Sequence, residues 1–434
     1  MAIFHGNAIP SGATEYDIPY SLRFNDDDSA YLTRTTTAGN RKTWTWSGWI
    51  KHGKECGTSP NIEADFFNCH TSGSDVAGVL FNVDNLIQFL DYNSGYRIHL
   101  ITSAKYRDPS AWYHVMFSVD TTQSTASNRA KLYVNGVEPE LSTAVYPTLN
   151  ADLKINSALE HRNGSSAQFT NENWLDGYLA EVNFVDGQAL TPADFGETDA
   201  TYGHWKAIAY TGTYGTNGYY LDFKDSGSLG NDANGSNNWT PTNLAATDQM
   251  LDSPTNNFAT FNPHQHSSVN HSPLSNGNLQ LNSAAVPPGK NRFQPATQYV
   301  SSGKWYAEFY DVSGGGFIYG ISFDSINMHN GVSASNAGYL GAAGGLGTGY
   351  LYNPGATGGS VFNPNNTAGF NSIGSLQGGG AGDVIGICLD MDYSSGGIEG
   401  AAYVYKNGTI LTTGLTGNRI NNYSLKAVSK YWTF

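Results

Sequence analysis

The sequence predicts an all-β protein, built as two β-sandwich domains joined by a long ordered connector, with very little helix. Three observations carry this expectation. Only 13% of the 434 residues are charged and 13% are aromatic, so Trp, Tyr and Phe supply the buried area that offsets chain entropy. The chain holds 51 Gly and abundant Asn, Ser and Thr, which suits tight turns where a positive φ is needed. Short runs rich in β-branched and aromatic residues recur along the chain, several of them alternating, with polar clusters between them.

Residues 1–20 carry Pro10, Gly12 and Pro19 without sustained periodicity. They read as an extended arm that lies on a neighbour or anchors the protein in a larger assembly, or else as a disordered terminus. Residues 21–196 form the first domain, with strands at SLRF, TWTWSGWIK, GVLFNV, LIQFL, WYHVMFSVD, AKLYVNGV and GYLAEVNFVDG. In TWTWSGWIK, Trp44, Trp46, Gly48 and Ile50 share one face and Thr45, Ser47, Trp49 and Lys51 the other. Both faces carry Trp, so alternation leaves the core-facing side open. KLYVNGV runs into an Asn-Gly pair, a strong hairpin signal. Only TPADFGE reads as a helical turn, capped by Thr191 with Pro192 at its first position.

Residues 197–273 are the connector, with a strand pair in TGTYGTNGYYLDF. It reads as ordered and wrapped on the first domain, because its aromatics would be wasted in a free linker. Residues 274–434 form the second domain, with strands at NLQLN, SGKWYAEFYDV, FIYGISF, GDVIGICLDMD, GAAYVYKNGTIL and YSLKAVSKYWTF. The Gly-rich stretch between them, with Tyr339, Tyr350 and Tyr352, reads as loops braced by aromatics.

Thirty-six acidic residues against 22 basic give a net charge of −14, which repels phosphate backbones and argues against a nucleic-acid partner. Cys56, Cys69 and Cys388 show neither a CxxC nor a Cys/His metal spacing, so packed, reduced thiols are expected, with a Cys56–Cys69 bridge as the alternative. The start, MAIFHGNAIPSG, lacks the pattern of a signal peptide, and no stretch approaches a membrane-spanning length, so neither secretion by that route nor membrane insertion is expected.

The first domain resembles the concanavalin A-like lectin/glucanase superfamily in its laminin G-like branch. The resemblance rests on SLRFNDDDSAYLTR, TWTWSGWIK, WYHVMFSVD followed by AKLYVNGV, and LDGYLAEVNFVDGQALTPADFG, in that order. It implies a jelly roll of two antiparallel sheets, used mostly to bind glycans or proteins. The second domain resembles SPRY domains, through SGKWYAEFYDV, GDVIGICLDMD and YVYKNGTIL, which implies another sandwich used in protein recognition. The chain stops about where that family's last strand forms, so a longer polypeptide continuing past Phe434 is an expectation. The pairing of the two domains resembles virion structural proteins of tailed phages, especially marine ones.

The glucanase branch requires three carboxylates on one strand: a nucleophile, an assisting Asp and a general acid. The nearest match, IEADFFN, offers Glu63 and Asp65 but places Asn68 where the acid belongs, and Asn cannot donate a catalytic proton. Asp390 and Asp392 share a strand face; in the SPRY pattern such residues serve turns and hydrogen bonds. No nucleophile elbow, P-loop or dinucleotide fingerprint is present. The loop Asp26, Asp27 and Asp28 offers oxygen ligands for Ca²⁺, as laminin G-like domains do, or is simply solvated. His264, His266 and His271 are surface histidines or, around a threefold axis, ligands for a metal ion. Tyr96, Tyr106 and Trp174 are candidate platforms for sugar rings. No residue is assigned a catalytic or metal-binding role. The functional expectation is a non-enzymatic virion protein, a trimeric tail fibre or tail adhesin that recognises a host glycan or protein and contacts other virion proteins. Capsid decoration or a head fibre is the alternative, and a glycan depolymerase the minor one.

Overall fold

The structure is a computed structural model that describes residues 2–5, 16–57, 63–72, 75–166, 173–264, 274–281, 294–312, 318–322, 347–351, 360–362, 380–412, 416–421, 424–428 and 431–434. It is all-β, and its helices are single turns. The chain divides into two units, Ala8–Asn257 and Met1–Asn7 with Phe258–Phe434.

The first unit is two antiparallel sheets. A seven-stranded sheet runs in the order Ala130–Val134, Trp112–Asp120, Thr43–His52, Gly177–Asp186, Ser21–Phe24 and Gln249–Met250, with Tyr219–Leu221 also paired to Gly177–Asp186. An eight-stranded sheet runs Leu141–Val145, Tyr96–Lys105, Leu86–Asn93, Asp75–Phe81, Ala64–Ser72, Glu160–Asn163, Tyr31–Thr35 and Thr240–Thr242. Trp44, Trp46 and Ile50 point into the core between them, with Phe67, Phe89, Phe117 and Leu179. The other face of the Trp-rich strand is buried as well. Trp49 packs with Ile18, Trp112, Tyr178 and Ala207, and Met116 and Val185 pack with Phe195 and Tyr214. That cover comes from residues 16–20 and from the chain beyond residue 195, which explains why both faces of one strand carry Trp.

The predicted connector is therefore largely part of the first unit. Tyr219, Phe223, Leu229 and Trp239 enter its main core, and the unit ends at Asn257 where the sequence suggested 196. The predicted arm is divided too. Residues 2–5 pair antiparallel with Lys304–Tyr310 in the second unit, whereas Ile18 is buried in the first.

Asn-Gly pairs close hairpins in both units. Asn135 and Gly136 have φ of 49° and 77°, and Val134 and Val137 exchange backbone hydrogen bonds of 2.9 and 3.1 Å across them. Asn407 and Gly408, with φ of 48° and 77°, do the same between Ile398–Lys406 and Thr409–Ile410. An added Cβ at Gly136 would also lie 2.3 Å from the Trp205 ring. Gly136→Ala is expected to destabilise the first unit by at least about 1–2 kcal/mol from the left-handed backbone alone, read as a lowered unfolding midpoint. The predicted helical turn forms as Pro192–Asp194, where the Asp194 carboxylate accepts the Thr191 N–H at 2.8 Å.

In the second unit a five-stranded sheet holds Ala2–His5, Lys304–Tyr310, Val384–Ser395, Ile398–Lys406 and Thr409–Ile410, in that order. Ile385, Ile387, Leu389 and Met391 alternate into its core. A three-stranded sheet joins Ile318–Ser322, Gly347–Leu351 and Ser360–Phe362. YSLKAVSKYWTF, predicted as strand, instead makes a helical turn at Leu425–Val428 before Trp432 and Thr433 bridge to Val300 and Ser322. Leu425 sits against Gly400, where a Cβ would lie 2.9 Å from its own, and its carbonyl accepts the Trp432 Nε1–H at 3.2 Å. That contact fixes the turn.

Candidate functional site

The carboxylate motif lies on the strand Ala64–Ser72. Its register shifts between Asp65 and Phe67, so a bulge puts Asp65 and Asn68 on one side, where plain alternation would separate them. Gly78 lies opposite, and a Cβ there would meet Asn68 Cβ at 2.9 Å and Asp65 Oδ1 at 3.3 Å. The Asn173 carboxamide donates to Glu63 Oε2 at 3.2 Å, and the Asn68 carboxamide donates to the Ser165 carbonyl. Burial, then the neighbouring Glu63, pushes the Asp65 carboxyl well above its usual range. Asp65 and Asn68 are 3% and 1% exposed, so this constellation is a buried polar brace with an amide in the position of the acid.

The other sequence candidates fall in separate places. Asp26 pairs with Lys54 at 2.7 Å, and Asp28 accepts from Asn25 at 2.7 Å, so two of the three loop carboxylates have partners within the chain. His264 donates its backbone N–H to Asn262 Oδ1 at 3.0 Å, while His266 and His271 lie outside the described residues, as do Tyr339 and Tyr352. Asp390 accepts from the Asp392 N–H at 3.0 Å and pairs with Lys304 at 3.3 Å; Asp392 accepts from the Gly303 N–H at 3.0 Å. Among the described residues no three His, Cys, Asp or Glu side chains converge as metal ligands. The aromatic candidates are also scattered. Tyr96 is 49% exposed and stacks on His99 with ring centroids 3.8 Å apart. Tyr106 packs edge-on to Tyr113, and Trp174 lies 5.8 Å from Tyr31, whose ring faces Arg162.

Cys56 and Cys69 are free and buried, and burial pushes both thiols up to about 12. At pH 8 only about one molecule in ten thousand would carry the reactive thiolate at either position. A disulfide-exchange reagent is expected to leave both unlabelled in the folded protein and to modify them on unfolding.

A polar cleft of about 310 Å³ opens at one end of the eight-stranded sheet. It lies where Ala64–Ser72, Asp75–Phe81, Leu86–Asn93 and Tyr96–Lys105 end or begin, and Thr71, Asp75, Asn93 and Arg97 line it from those strands. Arg41 and Lys154 enter from loops. Lys154 Nζ pairs with Asp75 and donates to Thr71 Oγ1 at 2.9 Å. Arg97 Nε donates to Asp91 Oδ1 at 2.6 Å, and Arg41 Nε to the Leu153 carbonyl at 2.6 Å. Sequence reasoning passed over these cations. They sit more than fifty residues apart along the chain, and only strand register assembles them.

The family model described as the Concanavalin A-like lectin/glucanases superfamily matches residues 24–195. No curated protein matches the chain. Among solved structures, the chain is similar to a putative carbohydrate binding protein from Bacteroides ovatus, with 15% identity, 53% of this chain and 60% of that one covered, and a TM-score of 0.35. It is similar to domains LG4-5 of the mouse laminin alpha1 chain, with 10% identity, 98% and 84% covered, and a TM-score of 0.32. It is also similar to tailspike protein 2 of Escherichia coli O157:H7 bacteriophage CAB120, with 13% identity, 45% and 25% covered, and a TM-score of 0.28. At these scores none of the three bears on what the chain binds. The family match and the two packed antiparallel sheets lead to one conclusion: residues 24–195 have a concanavalin A-like fold.

Proposed function

We propose that this protein is a non-enzymatic structural component of a tailed-phage particle, a tail fibre or tail-associated adhesin that binds a host surface glycan or protein. The observation that carries the binding half of this reading is Asn68. A superfamily of lectins and glucanases leaves two roles open, and hydrolysis needs a proton donor where this chain has an amide bonded to a backbone carbonyl. The polar cleft on the same unit supplies a place for a ligand. The particle half rests on the laminin G-like and SPRY-like pairing in one chain; the Asn-Gly hairpin and the alternating strand Val384–Ser395 of the second unit support its SPRY-like reading. On a symmetric particle the working state is a homo-oligomer, taken here as a trimer.

Immunogold labelling of intact particles tests the placement. Gold at the tail supports the adhesin; gold spread over the head replaces it with capsid decoration. Incubation with host polysaccharide is expected to release no reducing sugar, and release would make the protein a depolymerase.

A further inference from the structure

The cleft gathers three cations. Arg41, Arg97 and Lys154 line it, with Asp75 on its wall, Asp91 behind Arg97 and Asp152 beside both arginines, in a protein of net −14. The cation nearest the interior, Lys154, has a side chain only 5% exposed and is held by Asp75 and Thr71, so its position is built by the fold. Arg97 is fastened through Nε to Asp91, and Nη1 reaches the Asp152 carbonyl at 3.4 Å. Arg41 uses Nε and Nη2 on the Leu153 and Asp152 carbonyls, and its Nη1 has no acceptor among the described residues. The exposed Asn93 carboxamide has none either.

We propose that the cleft bounded by Arg41, Arg97, Lys154 and Asn93 receives the carboxylate of a terminal acidic sugar, a uronic or nonulosonic acid, on an otherwise neutral glycan. This assignment rests on the glycan-binding reading above and adds the ligand class. A planar carboxylate matches a guanidinium edge and gains a charge-assisted hydrogen bond in a site already fixed by its own ion pairs. The Asn93 carboxamide offers the donor and acceptor groups that sugar hydroxyls require, while the Thr71 hydroxyl is engaged, donating to Asp75 at 2.6 Å and accepting from Lys154. The volume lies at the small end of ligand pockets and suits one terminal ring. Electrostatics selects against the other anions. A sulfated polysaccharide or nucleic acid would bring many charges against a surface of net −14, whereas a single carboxylate meets the unused edge of Arg41 and little of the long-range repulsion.

The test uses the full chain and calorimetric titration with oligosaccharides ending in galacturonate, glucuronate or N-acetylneuraminate. Each is compared with the same oligosaccharide after reduction of its carboxyl to the alcohol, and with heparin. At least one acidic probe is expected to bind about tenfold or more tightly than its reduced form and than heparin. Asn93→Asp, which places a negative charge in the cleft at an exposed position, is expected to lower that affinity about tenfold with an unchanged melting temperature. Arg41→Gln is expected to act in the same direction. Equal binding of acidic and reduced probes, or preference for heparin, overturns the ligand class and leaves glycan binding in place. Acid-selective binding that ignores both variants moves the site elsewhere. Failure to bind any glycan removes this proposal together with the glycan-binding reading.

Discussion

Asp252→Ala is expected to destabilise the first unit by about 3–5 kcal/mol, because it leaves a lysine charged inside the protein with its ion-pair partner gone. Lys51 is fully buried on the outer face of the Trp-rich strand, and its Nζ lies 2.8 Å from Asp252 Oδ2 and 2.9 Å from Asn257 Oδ1. Asp252 Oδ1 also accepts the Trp112 Nε1–H at 3.0 Å, and its backbone carbonyl accepts from Ser21 Oγ at 2.5 Å. One aspartate thus fastens the late segment to three earlier strands. Asp252→Asn keeps one of the two side-chain acceptors and should lose less. The informative comparison is Lys51→Met with Asp252→Leu, since replacing a buried pair with apolar groups is often close to neutral. Urea unfolding followed for the first unit would check this. If Asp252→Ala proves as stable as the parent, the ion pair is not what holds the cover down.

The second large effect is a stability optimum bounded on both sides by buried groups. His114 lies beneath Trp205, whose Nε1–H donates to His114 Nδ1 at 3.1 Å, and its Nε2 is 2.8 Å from Ser47 Oγ. Burial lowers its pKa to about 3. His161, buried with Nε2 accepting the Asn156 N–H, is lowered to about 4. Both stay neutral in the folded protein while the unfolded chain takes up protons, so their contribution is complete above about pH 6.5 and is lost as pH falls toward 3–4. Glu181 works in the opposite sense. It accepts from Tyr16 at 2.6 Å and Tyr220 at 2.7 Å, and burial raises its pKa to about 7. The folded state then holds a proton that the unfolded state releases, so stability falls as pH rises from about 4.5 to 7.

These shifts translate into on the order of 5 kcal/mol for His114 and 3 kcal/mol for Glu181 across their windows. Denaturant midpoints measured from pH 4 to 8.5 should peak near pH 6.5. His114→Gln is expected to shallow the acid limb, with His161 maintaining the remainder. Glu181→Gln is expected to gain stability at pH 8 relative to pH 5. An unaltered pH profile in Glu181→Gln would show that this carboxyl ionises as freely folded as unfolded.

Much of the strand architecture was legible because its signals are local. WYHVMFSVD coincides with Trp112–Asp120, and the Asn135-Gly136 pair closes a hairpin where expected, whereas Asn407-Gly408 folds into a hairpin what reads as one strand run. The strand Tyr96–Lys105 was passed over although Ile98 and Leu100 alternate inward, because Tyr, Arg and His dilute the pattern. Ala64–Ser72 was read for its carboxylates and missed as a strand, and its bulge, which changes which residues share a face, has no local signature. The candidate cleft was not legible at all. Arg41, Arg97 and Lys154 each look like solvated surface charges, and their meeting depends on the pairing of strands that no short window contains. Glu181 is similar: its φ of 53° inside a strand is set by a bulge and by two tyrosines from distant segments.

The double-sided burial of the seven-stranded sheet also bears on how this protein can be cut. A fragment limited to residues 24–195 would lose the strands Tyr219–Leu221, Thr240–Thr242 and Gln249–Met250 and the core side chains Phe223, Leu229 and Trp239, expose Trp49, Trp112, Tyr178 and Val185 to water and leave Lys51 without its carboxylate. Such a piece would be sticky and poorly soluble. The same surface makes the chain its own split-protein system. Residues 197–257, supplied separately to residues 16–196, carry the missing aromatic plugs and the one aspartate, so the two pieces should reassemble in trans, with the Lys51–Asp252 pair as the lock between them.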